Sequence, residues 1–259
     1  STDVSRFEHL IIVCCNATYL GDGGKIGDED QWIMKPYQRA DPKIGKKSET
    51  ATFLKHIIDG VRFSLRDPTA LVMFSGGQIA GTPRPESESY YIVAQALADS
   101  QILEPMAWSR CGGYTETFST DSYQNLLFSI IRFRQVTKRF PRHVTVVSHA
   151  FKKDRFMRCH APAIRWPMRK FSFHGVDPPF APGEQEKVFA GEKATRDEFE
   201  RDPYGIGAFL GKKRAERGWN AAEAIPELES ECEKKVVRLL SWKGGDDGKT
   251  IFPDTLPWE

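Results

Sequence analysis

The amino-acid sequence predicts an α/β protein, in which helices cover both faces of a parallel β-sheet to make three layers. Two observations carry this prediction. Short apolar runs rich in branched residues recur along the first two thirds of the chain, and segments of helical periodicity separate them. Right-handed crossovers join strands and helices that alternate in this way, and such crossovers place the strands parallel to one another.

Four apolar runs have the length and composition of buried strands. They occupy residues 8–15, 70–75, 143–148 and 170–174. The first is apolar on both faces, which is typical of a strand with helices packed on each side. A weaker strand is predicted near 106–110.

Helices are predicted between these strands. Apolar residues keep to one stripe over 48–65 and again over 86–99. The clearest periodicity follows Ser119 and Thr120, which are suited to open the next helix, and a basic helix is predicted near 153–161.

Two regions depart from this alternation. Residues 18–47 are polar and contain glycine and proline, and their length predicts an inserted loop or a lid. From residue 178 onward no strand pattern is present, but a basic helix at 206–217 and an acidic one at 225–240 are predicted. We therefore divide the chain into an α/β domain of residues 1–177 and a mostly helical extension of residues 178–259. The extension is too poor in apolar residues to form its own core, so it is expected to pack on the domain.

The overall composition is that of a globular protein. Hydrophobic residues make up 40% of the 259 residues and charged residues 28%, which excludes collagen-like, disordered and disulfide-scaffold classes. No apolar run approaches the roughly 20 residues that cross a bilayer, and no signal-peptide pattern is present. We therefore expect a soluble cytoplasmic protein with no membrane contact and no obligate protein partner.

The net charge of +2 conceals a strong local asymmetry. Residues 132–170 contain twelve Lys or Arg against one acid, Asp154, whereas residues 216–234 contain six Glu against two cations. Aromatic residues interleave with the basic stretch, as in a nucleic-acid surface. However, the stretch crosses a helix, a strand and another helix, so its charges do not share one face. Pairing with the acidic segment explains the pattern as well, and nucleic-acid binding is the less favoured alternative.

The five cysteines, at positions 14, 15, 111, 159 and 232, form no C-x-x-C motif. No pair of histidines has the spacing of a zinc site, so no metal is expected. Reduced, partly buried thiols are the favoured interpretation, and a catalytic cysteine at the end of the first strand is the alternative.

Small or polar residues follow each predicted strand and open the helix after the third one. The carboxyl ends of parallel strands meet at one edge of the sheet, where ligands bind. The first turn of a helix also favours an anion. We therefore expect a cleft for a small anionic, phosphorylated or nucleotide-like molecule, lined by Asn16, Ser75, Gly76, Gly77, Ser119, Asp121, Ser122, Asn125, Ser148, Lys152 and Arg155.

The order of these motifs resembles that of the YdcF/SanA/ElyC-like family (domain of unknown function 218). The family shows S-G-G, S-E, E-x-x-S-x-N-T-x-E-N and V-T-S-x-x-H-x-x-R. The corresponding segments here start at Ser75, Ser87, Glu116 and Val147, and the match spans residues 8–175. The sequence departs from the pattern by having Asp121 for Asn, Ser122 for Thr, Gln124 for Glu and Lys152 for His.

The resemblance implies a Rossmann-like fold and a nucleotide-type ligand, with S-adenosylmethionine the one usually proposed for the family. It implies no established reaction. The departures from the motif, and the lack of the membrane segment common in bacterial relatives, indicate a divergent, soluble and eukaryotic branch.

Three residues are candidates for catalysis. Glu116, at a strand end beside a helix, has the chemistry of a general base or a metal ligand, Glu88 is the second carboxylate, and His149 follows the fourth strand. Lys152 and Arg155 suit the neutralisation of a phosphate or carboxylate. No phosphate-binding glycine motif and no nucleophile elbow is present.

The sequence thus favours a hydrolase or transferase acting on a small anionic metabolite. The alternative is a protein that binds such a ligand, or serves as a scaffold, without catalysis. Trp32 and Tyr204 are predicted to stack on the ligand from segments that close over the cleft.

Overall fold

A five-stranded parallel sheet forms the centre of the protein, which we describe over residues 3–259 from a computed structural model. Its strands follow the order β5-β4-β1-β6-β7, and two further strands, β2 and β3, form a small antiparallel pair. The strands are β1 (His9–Cys14), β2 (Thr18–Tyr19), β3 (Trp32–Ile33), β4 (Ala70–Ser75), β5 (Tyr114–Glu116), β6 (His143–Ser148) and β7 (Phe171–Gly175). The α/β class and the parallel sheet are confirmed.

Helices cover both faces of the sheet. They are α1 (Thr50–Arg66), α2 (Glu86–Asp99), α3 (Pro105–Cys111), α4 (Ser122–Thr137), α5 (Lys153–Arg155), α6 (Ala161–Ala163), α7 (Glu184–Arg201), α8 (Ala208–Glu216), α9 (Ala221–Glu229) and α10 (Lys234–Leu240). A π-helical segment, Phe156–His160, joins α5 to α6. None of the helices between residues 3 and 259 has the length and apolar character needed to span a membrane.

The strand order reverses next to β1. From β1 the chain proceeds outward through β4 to β5, and then returns to place β6 and β7 on the other side. Cys14 lies opposite Ser75, and Val13 lies opposite Val147, so these strands end at a common edge. In open parallel sheets, the crevice at such a reversal is where ligands bind.

Alternation along the strands produces two apolar layers. Ile11 and Val13 point to the face covered by α1, α2 and α3, whereas Leu10 and Ile12 point to the face covered by α4. All four side chains are fully buried, as expected for a strand covered on both faces.

The extension completes the second of these layers. Trp219 stacks on Phe128 of α4, with ring centroids 5.6 Å apart, and Phe199 packs edge-on against His160 at 4.6 Å. Ten buried extension residues belong to this layer: Phe199, Tyr204, Leu210, Ala224, Leu228, Val236, Leu239, Phe252, Leu256 and Trp258. The domain and the extension therefore share one core.

Several predicted elements are wrong in detail. The segment 106–110 is helical, as part of α3, and the strand follows it at β5. The predicted acidic helix at 225–240 is two helices, α9 and α10. The long helix α7 has no counterpart among the predicted elements.

The two predicted stacking residues lie in the core instead of a cleft. Trp32 is 2% exposed, packs against Phe53 and donates its indole N–H to Ile26 O at 2.9 Å. Tyr204 is also 2% exposed, and its hydroxyl donates to Ala163 O at 2.8 Å. Neither ring is available to a ligand.

The basic stretch 132–170 is largely paired. Seven of its twelve cations lie within 4.0 Å of a carboxylate, and five of those carboxylates belong to the extension. Arg134 and Lys138 reach Glu233 and Glu231 of the predicted acidic segment. Two of the interleaved aromatic residues, Phe156 and Trp166, are buried and cannot stack on nucleic-acid bases.

Candidate functional site

A cavity of about 840 Å³ opens at the carboxyl ends of β1 and β6, next to the reversal of strand order. Its floor is formed by the residues that follow these strands and by the first turn of α4. The polar loop contributes Lys35, Tyr37 and Gln38, and α7 and α8 close the far side. The extension therefore forms part of the cavity wall.

Most of the predicted ligand-binding residues reach this cavity, as does the catalytic candidate His149. They come from three separate parts of the chain, as the sheet topology requires. Those that line it are Asn16, Ser119, Asp121, Ser122, Asn125, Ser148, His149, Lys152 and Arg155.

Ser75 and Glu116 lie behind the cavity wall. The Ser75 hydroxyl donates to Glu116 Oε2 at 2.6 Å, and the other carboxylate oxygen accepts the backbone N–H groups of Phe118 and Ser119. Asn125 Nδ2 donates to both Ser75 Oγ and Ser119 Oγ at 2.9 Å. These bonds hold the loop after β5 against the end of β4.

The two glycines after Ser75 also help to hold the loop after β5 against the end of β4. Gly76 N–H donates to Glu116 O at 3.1 Å, and Gly77 N–H donates to Ser119 O at 2.7 Å. These N–H groups are therefore occupied within the protein, and the prediction that Gly76 and Gly77 line the cleft is wrong. A side chain at Gly77 would place its Cβ 2.7 Å from Ser119 O, so the close approach of the two loops requires glycine.

Glu116 is a structural carboxylate in this arrangement. It is 2% exposed and does not line the cavity. Burial raises its pKa above the ordinary value, although hydrogen bonds from Ser119, Ser75 and Phe118 oppose the rise. Its geometry gives no support to the expected role as general base or metal ligand.

Glu116→Gln is expected to lower the free energy of unfolding by about 1–3 kcal/mol, because one donor to Glu116 would face an amide N–H₂ and lose its acceptor. Urea denaturation followed by circular dichroism measures the change. Glu88→Gln is the matched control and should stay within about 0.5 kcal/mol of wild type, since Glu88 is exposed. Equal stability of the two variants would contradict the structural role.

The carboxylate of α2 that faces the cavity is Glu86 instead of Glu88. Both residues lie in the first turn of the helix, but two residues correspond to about 200° of rotation, so they point to opposite sides. Glu86 lines the cavity, whereas Glu88 is exposed and does not. The predicted catalytic role of Glu88 is therefore not supported.

Five cations on the cavity wall have no carboxylate within 4.0 Å among residues 3–259. Lys152 Nζ donates to Asn16 Oδ1 at 2.9 Å, and Arg217 Nη1 donates to Thr120 O at 2.7 Å. Burial lowers the pKa of Lys152 to about 8, and the charge of Arg155 adds to this effect. The five are Lys35, Lys152, Lys187, Lys213 and Arg217.

Two other cavity cations are neutralised by buried carboxylates. Arg155, predicted to bind the ligand, donates from Nε to Glu192 Oε1 of α7 at 2.9 Å and from Nη1 to Ser122 Oγ at 3.1 Å. Arg214 of α8 donates to Asp121 Oδ2 at 2.6 Å. These pairs attach the extension to the domain at the rim of the cavity.

His149 is held neutral. Its ring stacks on Phe151 with centroids 5.0 Å apart, and its Nε2 lies 3.1 Å from Glu49 Oε2. Burial lowers its pKa well below the ordinary value, and the charges of Lys152 and Arg155 act in the same direction. A neutral imidazole at this position can exchange hydrogen bonds with a ligand but carries no charge to attract it.

Two of the five cysteines lie at the cavity. Cys14 and Cys15 line the cavity, but burial raises the pKa of Cys14 to about 12, so this thiol is not ionised near neutral pH. Within residues 3–259, no three side chains of His, Cys, Asp or Glu are grouped to hold a metal ion.

Several cavity residues were not predicted from the sequence, among them Lys35, Glu86, Lys213 and Arg217. Glu86 lies in a helix whose start was correctly predicted, but the sequence did not show that this end of the helix faces the cavity. The other three lie in the polar loop or the extension, far from any strand end, and carry no local signal for a site.

Comparison with known proteins yields a relative without a known activity. The uncharacterized protein YOR238W of Saccharomyces cerevisiae (strain ATCC 204508 / S288c) is 31% identical to this chain over 183 residues. The match covers 58% of this chain and 58% of the relative, so the chain spans less than two thirds of the relative's length. No family model matches, and neither does any solved structure. The resemblance to the YdcF/SanA/ElyC-like family therefore stays a prediction.

Proposed function

We propose that the cavity binds a small molecule carrying a phosphate-type anionic group. The observation that carries this proposal is the charge of the wall. Five cations lack a carboxylate partner, whereas Glu49 and Glu86 are the carboxylates of the wall that lack a cationic partner among residues 3–259. Three of these cations, Lys152, Lys213 and Arg217, are partly buried. A partly desolvated cation without a counter-ion is costly, and a bound anion relieves that cost.

The size and place of the cavity support a ligand as large as a nucleotide. Its 840 Å³ lie within the range of about 300–1,000 Å³ found for small-molecule sites. Ser122, at the start of α4, lines the same space. The wall charge favours nucleotides and sugar phosphates over S-adenosylmethionine, because the latter is itself a cation.

A hydrolase or transferase acting on such a ligand is the enzymatic form of this proposal, and a non-catalytic binding protein is its alternative. Both require the same anion site, so ligand binding is tested first. A thermal-shift screen over nucleotides, sugar phosphates and S-adenosylmethionine is the direct experiment, because a ligand that binds the native state stabilises it by mass action.

Lys152→Met is expected to weaken binding of any ligand found in that screen by about 10–100-fold, because a hydrogen bond to a charged group contributes about 1.5–3 kcal/mol. Isothermal titration calorimetry measures the dissociation constant. Lys153→Met is the matched control, since Lys153 is the next residue but is exposed and lies outside the cavity. An equal loss of affinity in both variants, or no loss of affinity in Lys152→Met, would overturn the assignment of the anion to this cavity.

A further inference from the structure

Glu86 is a cavity carboxylate for which no hydrogen-bond or ion-pair partner exists within residues 3–259. Its position depends on Gly76, because a Cβ at residue 76 would lie 2.9 Å from Glu86 Oε2. The lack of a side chain at that glycine leaves room for the Glu86 carboxyl at the end of β4. Glu86 is partly buried, and a carboxyl that is partly withdrawn from solvent without a partner is costly, which points to a partner supplied by the ligand.

The groups that face Glu86 come from separate elements and are cationic or neutral. Arg217 after α8, Lys35 of the polar loop and Lys152 after β6 act on it as positive charges, but none lies within 4.0 Å of it. The neutral groups are the Cys15 thiol and the phenols of Tyr37 and Tyr90, and burial raises the pKa of Cys15 and Tyr90. A space bounded by three cations and one carboxyl thus remains in the cavity.

We propose that Glu86 recognises the ligand of this cavity by hydrogen bonding. Its protonated carboxyl donates a hydrogen bond to an anionic oxygen, which Lys35, Lys152 and Arg217 attract by their charge. This inference rests on the proposed function and adds the group that sets its selectivity. An anion in this space lies beside the Glu86 carboxyl. An ionised carboxylate would repel that anion, whereas the acid form supplies a donor to it.

The titration behaviour of Glu86 agrees with this role. Burial raises its pKa to about 7, and the nearby charges of Arg217, Lys35 and Lys152 limit the rise. Anion affinity should therefore increase as the pH falls through 7, because binding favours the protonated carboxyl. Loss of charge from Lys152, whose pKa is about 8, weakens binding in a separate step at higher pH.

Sulfate is the probe of choice, because it does not change its charge between pH 5.5 and 7.5, where Lys152 also remains mostly protonated. The dissociation constant of sulfate is measured by calorimetry on the full chain at constant ionic strength. For wild type, we expect affinity to fall about four- to fivefold from pH 5.5 to 7.5. Glu86→Gln keeps a hydrogen-bond donor and removes the charge. Its affinity for sulfate should change less than about twofold over the same pH range.

Two further variants complete the test. Glu88→Gln, the same substitution on the exposed side of α2, should retain the wild-type pH dependence. Glu86→Ala, which lacks both charge and donor, should bind more weakly than wild type at pH 5.5 and lose the pH dependence. Wild-type pH dependence in folded Glu86→Gln or Glu86→Ala would overturn the role of Glu86. Absence of saturable sulfate binding to wild type at any pH would instead overturn the anion site itself.

Discussion

A chain that ends at residue 177 is expected to lose cooperative folding. The outer face of α4 and the segments beside it would be exposed, because their packing partners belong to the extension. Tyr123 would lose Tyr204, Phe128 would lose Trp219, and Phe140 and Trp166 would lose Trp258. Exposure of four aromatic side chains costs about 6–12 kcal/mol at about 1.5–3 kcal/mol each. That cost is comparable to the whole stability of an average domain, about 5–15 kcal/mol.

The measurement compares fragment 1–177 with the full chain by urea denaturation and near-ultraviolet circular dichroism. The fragment is expected to show no sigmoidal transition and to lose the aromatic signal that fixed packing produces. A fragment with a cooperative transition and a native-like aromatic spectrum would show that residues 178–259 are a separable appendage. The shared core described above would then contribute little to stability.

Arg214→Met is expected to lower the free energy of unfolding by about 3–5 kcal/mol, because it leaves Asp121 buried without its counter-ion. Both side chains are less than a tenth exposed, and Nε of Arg214 lies 2.6 Å from Asp121 Oδ2. Asp121 also caps α4 by accepting the N–H of Gln124 at 2.9 Å. Lys212→Met, on the exposed side of α8, should change stability by less than about 0.5 kcal/mol.

Two measurements distinguish the loss of the ion pair in Arg214→Met from a general packing defect. Adding Asp121→Asn to Arg214→Met should recover part of the loss, because asparagine removes the unpaired charge and still caps a helix. Lowering the pH should also reduce the difference in the free energy of unfolding between Arg214→Met and wild type. Burial alone would raise the pKa of Asp121, but the charge and hydrogen bond of Arg214 hold it below the ordinary value. This stabilisation is therefore present above about pH 4 and is lost as the pH falls through the folded pKa. A difference in the free energy of unfolding that is equal at pH 7 and pH 3 would argue against a stabilising ion pair.

The central sheet was predictable because its strands are distinct in composition. The runs that became β4 and β6 are continuous, apolar and bounded by polar or glycine residues, so burial on both faces determines their assignment. The helix α3 was mistaken for a strand because seven residues are too few to display a helical stripe. Pro105 at its first helical position was the available signal. The helix α7 buries only Glu192 and Phe199 among its described side chains, so it carries almost no apolar periodicity.

The candidate site was predictable where strand ends determine it. Asn16, Ser148 and Lys152 follow β1 and β6, and the topology of a parallel sheet brings them to one edge. The sequence could not show that the start of α2 faces the cavity, because ten residues of irregular loop separate it from β4 and set its position. Nor could it reveal Lys213 and Arg217, whose approach to the cavity depends on how the extension docks.

The supply of cavity residues by α7 and α8 has a consequence for the order of events during synthesis. The ribosome completes all five strands of the sheet before it adds residues 184–217, which form the far side of the cavity. A nascent chain whose five strands have all been synthesised thus still lacks Lys187, Lys213 and Arg217. High-affinity capture of an anion would begin after these helices dock, and a bound anion would in turn hold them in place.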